Sequence, residues 1–169
     1  MDELRRRSLP QMEVPLLTVD ERAIFVREYL WSLYRKSLHR GEIKRISGDA
    51  DSLTGSPLIL KVLLEEFRVF GHHETLTDHI SQFLQAKTAE DLFSMVLDRM
   101  EQDFNGAHDG LVGRLMSLLW AARHGLSEEE IKDILEISPL EWSPIFLSMQ
   151  ELFPRRTGLI ALQNRMLRD

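Results

Sequence analysis

The sequence predicts an all-α fold. Polar residues suited to capping helices recur along its 169 residues, each followed by apolar side chains at helical spacing. Only Leu159-Ile-Ala-Leu162 reads as strand, which leaves room for at most one small hairpin. A hydrophobic fraction of 43% lies far above that of disordered chains. It supplies a core for one domain or two small ones.

Thr18-Val-Asp-Glu21 is a capping box: the Thr hydroxyl accepts from the amide three residues on, and Glu reaches back. Ile24, Val26, Tyr29, Leu30 and Leu33 then form one broad apolar face, and the helix is expected to end near Leu38. A short helix is expected over Arg40 to Ile46, then a polar loop over Gly48 to Thr54. Ser56-Pro57 starts the next, because Pro at the first helical position loses an N–H that had no partner anyway. From Pro57 to Phe70 apolar residues wrap most of the helix, which marks it as the central buried one, and Gly71 stops it. Thr75 opens a helix ending near Leu84, and Thr88-Ala-Glu-Asp91 opens a longer one ending at Asn105-Gly106. The next runs from Asp109 or Gly110 to Gly125, and Ser127-Glu-Glu-Glu130 caps another ahead of Ile131, Ile134 and Leu135. Ser143-Pro144 is expected to start the last full helix, ending near Phe153. Arg155-Arg-Thr-Gly158 is a turn, and a further helix is expected from Asn164. The most loop-like interior stretch, Asn105 to Gly110, divides the chain into an extension (1–15), a helical part (16–105) and a second part (106–169).

Composition narrows function. With 27 acidic and 21 basic residues the net charge is −6, which argues against a nucleic-acid binder. No run approaches the length of a membrane span, and Met1 to Met12 lacks the apolar stretch of a signal peptide. The absence of cysteine rules out disulfides, cysteine nucleophiles and thiolate zinc sites, and suits a cytoplasmic protein.

Tests for chemistry give little. No GxxxxGK[ST] loop exists, and Asp49 and Asp51, between Gly48 and Gly55, would repel phosphate. His72, His73 and His79 cluster, but the last two are six positions apart, a step that turns a helix by ~600° and aims them apart. Asp49-Ala-Asp51-Ser52 has Leu60 where a calcium loop needs Glu. No GxSxG elbow is present. Arg35, Lys36, Arg40, Lys44 and Arg45 form a basic patch, and Arg5, Arg6 and Arg7 another. Such patches are solvated faces, or contacts for an acidic partner or a phosphate.

Three segments add a resemblance. They are Val14-Pro-Leu-Leu-Thr-Val-Asp-Glu-Arg22 running into Phe25-Val-Arg-Glu-Tyr-Leu30; Gly55-Ser-Pro-Leu-Ile-Leu-Lys-Val-Leu-Leu-Glu-Glu-Phe-Arg-Val-Phe-Gly71; and Gly125-Leu-Ser-Glu-Glu-Glu-Ile131 through Trp142 to Leu167-Arg168. Together they resemble the back half of a NACHT-type module of the STAND class of P-loop ATPases, in the nephrocystin and tetratricopeptide-repeat branch. The resemblance implies a helical bundle over 16–105 and a winged-helix-like subdomain over 106–169. It also implies that Gly55, Ser56 and Pro57 lie near the adenine and ribose of ADP. Asn164 stands where the family presents a His to the β-phosphate. The family's front half, with its nucleotide-binding motifs, is absent from the sequence, so the chain reads as a fragment, isoform or decayed copy.

The implied function is a non-catalytic regulatory fragment. It needs no cofactor alone, would clamp ADP and relay nucleotide state when paired with a nucleotide-binding domain, with ADP or ATP bound in the full-length context, and its expected partner is that domain or a repeat domain. The alternative is a stand-alone helical protein-interaction module. DNA binding is disfavoured, because the expected recognition helix, Ser143 to Phe153, has no Lys or Arg.

Overall fold

The computed structural model describes residues 15–49, 52–69, 76–104, 109–150 and 158–162. Among them eight α-helices follow one another: α1 (Val19–Tyr34), α2 (Arg40–Ser47), α3 (Pro57–Val69), α4 (Leu76–Phe83), α5 (Ala89–Phe104), α6 (Leu111–Ala121), α7 (Glu128–Leu135) and α8 (Pro139–Met149). A 3-10 turn, Leu53–Gly55, precedes α3. The all-α class holds. In place of the expected strand at Leu159–Leu162, one antiparallel bridge joins Leu126 to Ile160. Helix lengths of 16, 8, 13, 8, 16, 11, 8 and 11 residues recur at no fixed period.

Most helices start where the sequence places them, because local hydrogen bonds decide. The Glu21 amide donates to the Thr18 hydroxyl at 3.3 Å and the Thr18 amide to the Glu21 carboxylate at 2.8 Å. Ser127 and Glu130 repeat this at 3.2 and 2.8 Å. The Asp91 carboxylate accepts from the amides of both Lys87 and Thr88.

Helix ends, and one start, differ from expectation. Arg35 adopts a left-handed conformation (φ 54°), so the Lys36 amide bonds to the Leu30 carbonyl and α1 stops at Tyr34, short of Leu38. On α1 only Arg22, Val26 and Leu30 are fully buried, while Ile24 and Leu33 are exposed. Helix α6 ends at Ala121 and not at Gly125, because Leu126 and Ile160 exchange two backbone hydrogen bonds (2.9 and 2.8 Å) and hold the chain extended. A Cβ on Gly125 (φ +85°) would sit 2.6 Å from the Ile160 carbonyl, so only glycine fits.

Ser138, not Ser143, caps α8. The Glu141 amide donates to the Ser138 hydroxyl at 3.3 Å, the Ser138 amide to the Glu141 carboxylate at 2.8 Å, and Pro139 takes the first helical position. Ser143 has Phe146 where an acid would complete a box. Pro144 lies inside the helix with its ring exposed.

The buried apolar residues form one cluster to which every described helix contributes. As expected, α3 lies at its centre: Ile59, Leu60, Val62, Leu63, Leu64 and Phe67 are all buried. It packs against α1, α4 and the 3-10 turn. Glu101, near the end of α5, accepts from the amides of Val112 (3.3 Å) and Gly113 (2.8 Å) at the start of α6. That carboxylate sits at the positive end of a helix. It ties together the two sides of the Asn105–Gly110 stretch, of which residues 105–108 lie outside the described residues.

The capping geometry predicts that Ser138→Ala lowers stability by about 1 kcal/mol, whereas Ser143→Ala changes it by only a few tenths. Urea denaturation of the two variants checks this. Equal losses would place the helix start at Ser143.

Candidate functional site

A groove with a volume of about 1170 Å³ lies between α1 and α2. Val19, Asp20, Ala23 and Arg27 line it from α1; Arg40, Gly41, Ile43, Lys44, Arg45 and Ser47 line it from α2. Its floor is apolar: Ala23, Leu38 and Ile43 are half-buried. Its rim is basic, since Arg27, Arg40, Lys44 and Arg45 are exposed. Arg40 and Lys44 stand one helical turn apart and share a face. Arg45 donates to the Ser81 hydroxyl at 3.2 Å and is anchored toward α4. Asp20 and Asp49 are the acidic residues of the lining.

The structure thus divides the expected basic patch. Arg40, Lys44 and Arg45 join Arg27 at the groove. Arg35 instead lies over the Trp31 ring at 5.6 Å, a cation–π contact. Lys36 donates to the Arg68 carbonyl at 2.6 Å, on the last turn of α3.

Two devices hold the groove walls. The first is Arg22, a residue only 1% exposed. Nε donates to the Leu17 carbonyl at 2.9 Å, and Nη1 donates to the carbonyls of Ser47 (2.7 Å) and Asp49 (2.6 Å). A cation therefore sits on the C-terminal end of α2, where the helix dipole favours it. Gly55 closes against this arginine: its carbonyl accepts from the Leu17 amide at 2.8 Å, and a Cβ there would lie 3.1 Å from Arg22 Nη2.

The second device joins α1 to α3. Glu65 accepts from the hydroxyls of Tyr29 (2.6 Å) and Tyr34 (2.8 Å) and from Arg68 Nε (2.7 Å). Arg68 also stacks over the Tyr34 ring at 4.9 Å. Burial pushes the Glu65 carboxyl up, but these three hydrogen bonds outweigh it and leave it below its ordinary value of 4.5. Neighbouring Glu66 goes the other way: burial raises it, and the paired Arg99 only partly offsets this.

The residues expected to contact ADP occupy this same corner. Gly55 is buried, Ser56 half-buried and Pro57 exposed at the first turn of α3, while Asn164 lies outside the described residues. A role for them toward a nucleotide rests on the resemblance alone. His72 and His73 also lie outside the described residues, and His79 on α4 packs its ring against Phe67 and Phe83. Among the described residues no group of three or more His, Cys, Asp or Glu is placed to hold a metal, and no helix is long and apolar enough to cross a membrane. Sequence reasoning missed Arg22 and Arg27. The signal for Arg22 was present: it precedes Val26 and Leu30 at intervals of four on the buried face, where a cation needs a reason.

Arg22→Ala is predicted to destabilise by roughly 3 kcal/mol, because several carbonyls lose a charged donor. Arg22→Lys should lie between, since one ammonium spans the same acceptors poorly; urea denaturation measures both. For Glu65 the folded carboxyl holds its proton less tightly than the unfolded one. Its stabilisation is therefore complete above pH ~4.5 and is lost as pH falls through the folded value. Glu65→Gln should be less stable at neutral pH and lose less stability on acidification. Urea midpoints across the acid range test this, and an unchanged acid limb would refute it.

Comparison with known proteins adds little breadth. No protein-family model matches the chain, and no solved structure matches it. A TPR repeat-containing protein of Dictyostelium discoideum is 30% identical over 164 residues, covering 95% of this chain. The chain spans about a tenth (10%) of that relative's length. This finding corrects the expected membership of the NACHT/STAND class, since the relative is described by TPR repeats. The physical reason is that the matching segments are general helical devices: a capping box, a Pro helix start, and apolar faces that a helical core demands in any such fold.

Proposed function

We propose that this chain is a helical protein-interaction module, and that the groove between α1 and α2 docks an acidic, amphipathic segment of a partner protein. One observation carries the reading: four exposed cations rim an apolar floor in a chain whose net charge is −6. An amphipathic helix laid into such a groove buries its apolar side on Ala23, Leu38 and Ile43, and its carboxylates meet the rim. Complementary charge of this kind speeds encounter and sets orientation more than it adds affinity. The TPR description of the Dictyostelium relative supports a binding role over a catalytic one.

We read residues 111–150 and 158–162 as a winged-helix-like part, a reading supported by the Leu126–Ile160 bridge that accompanies α6, α7 and α8. We read this part as a protein surface as well. Helix α8 contains no Lys or Arg, and exposes Leu140 and Leu147 beside Pro144. DNA affinity depends on cations that reach phosphates.

Fluorescence anisotropy with a labelled helical peptide, Glu on one face and Leu on the other, tests the groove. Micromolar binding that weakens as salt rises, and that drops at least tenfold in Arg40→Glu/Lys44→Glu, is expected. Binding that ignores the double substitution would overturn the assignment of the groove.

A further inference from the structure

The chain carries the chemistry its own groove selects. On α7, Glu129, Glu130, Asp133 and Ile134 are all exposed, and so is Glu136, the left-handed residue just past the helix end. At 3.6 residues per turn the four on the helix form one continuous arc, with Ile134 at its edge and Lys132 beyond the opposite edge. Ile131 and Leu135 face inward and are buried. The outer face of α7 is thus three carboxylates, of which Glu130 also accepts from Ser127, beside one exposed apolar side chain, Ile134, which is 53% exposed. The groove is largely the reverse: four cations, against the two acids Asp20 and Asp49, around an apolar floor. Among the described residues Arg27, Arg40, Lys44 and Arg45 form no ion pair, nor do Glu129, Glu130, Asp133 and Glu136.

We propose that the α1–α2 groove of one copy seats the α7 face of a second copy. The proposal rests on reading the groove as a docking surface, and names its occupant. The contact joins two different patches, so it is heterologous: each copy offers one groove and one face, and association runs head to tail. Ile134 enters over Ala23 and Ile43 while the carboxylates meet Arg27, Arg40, Lys44 and Arg45. Exposed pairs of this kind weaken with salt, so the assembly is concentration-dependent and strongest at low ionic strength.

Sedimentation velocity of the full chain tests it. At low salt the weight-average mass should rise above the monomer value with concentration, and fall back to it at high salt. Arg40→Glu/Lys44→Glu and Glu129→Lys/Asp133→Lys should each be monomeric, with the helical circular dichroism of the parent. Mixed together, the two charge-reversed variants should associate again, because the reversed groove accepts the reversed face. The neutral pair Glu129→Gln/Asp133→Asn should also lose association. A parent chain that stays monomeric at low salt, association indifferent to these substitutions, or failure of the mixture to associate would overturn the proposal. If the parent chain is monomeric yet still binds the acidic peptide, the second copy is the wrong occupant and the docking groove stands. If both fail, the groove assignment fails with it.

Discussion

The Arg22 guanidinium is the constraint on which the N-terminal architecture depends. A cationic residue that is 1% exposed is tolerated only when its donors are used. Here they are spent on backbone carbonyls: Leu17 ahead of α1, and Ser47 and Asp49 at the end of α2. The charge answers the negative end of a helix that would otherwise terminate with unpaired carbonyls. One side chain thereby sets how α1 and α2 meet, and hence the width of the groove between them. The Leu17–Gly55 hydrogen bond carries the same constraint to the start of α3, and glycine lets the backbone approach.

Helix α3 poses the opposite problem. Its burial is driven by apolar side chains, yet Glu65 and Glu66 are buried with them, at 7% and 5% exposure. Each is answered differently. Glu65 collects two tyrosine hydroxyls and Arg68 and stays below its ordinary value despite burial. Glu66 has Arg99 against it, yet burial wins and its value rises. Both carboxylates act as joints: the first locks α1 to α3, the second α3 to α5. The helix that supplies most of the core also fixes its neighbours in register.

Charge is segregated as well as balanced. The net negative charge conceals a basic groove on the α1–α2 hairpin and an acidic face on α7. Like-charged residues kept together on exposed surface repel one another mildly. Their separation onto two faces does not serve stability, which fits the proposed docking role.

The all-α class and most helix starts were legible in the residue order, because capping is a local matter: Thr18, Thr88 and Ser127 bond to acids three residues on. The start of α8 was equally local, in Ser138-Pro139-Leu140-Glu141, but was hidden behind a second Ser-Pro pair at Ser143-Pro144. The basic residues of α2 were visible as a patch, but not their junction with Arg27 across the groove, nor the diversion of Arg35 to Trp31 and Lys36 to Arg68. Those outcomes hang on non-local partners. So do the end of α6, forced by the Leu126–Ile160 bridge, and the burial of Arg22, which needs carbonyls some 25 to 27 residues away. By itself the sequence determined which segments are helical, since a cap and a period of 3.6 need only near neighbours. Only the tertiary structure decided where helices end, which charges are spent inside and which remain on the surface, because long-range packing supplies those partners.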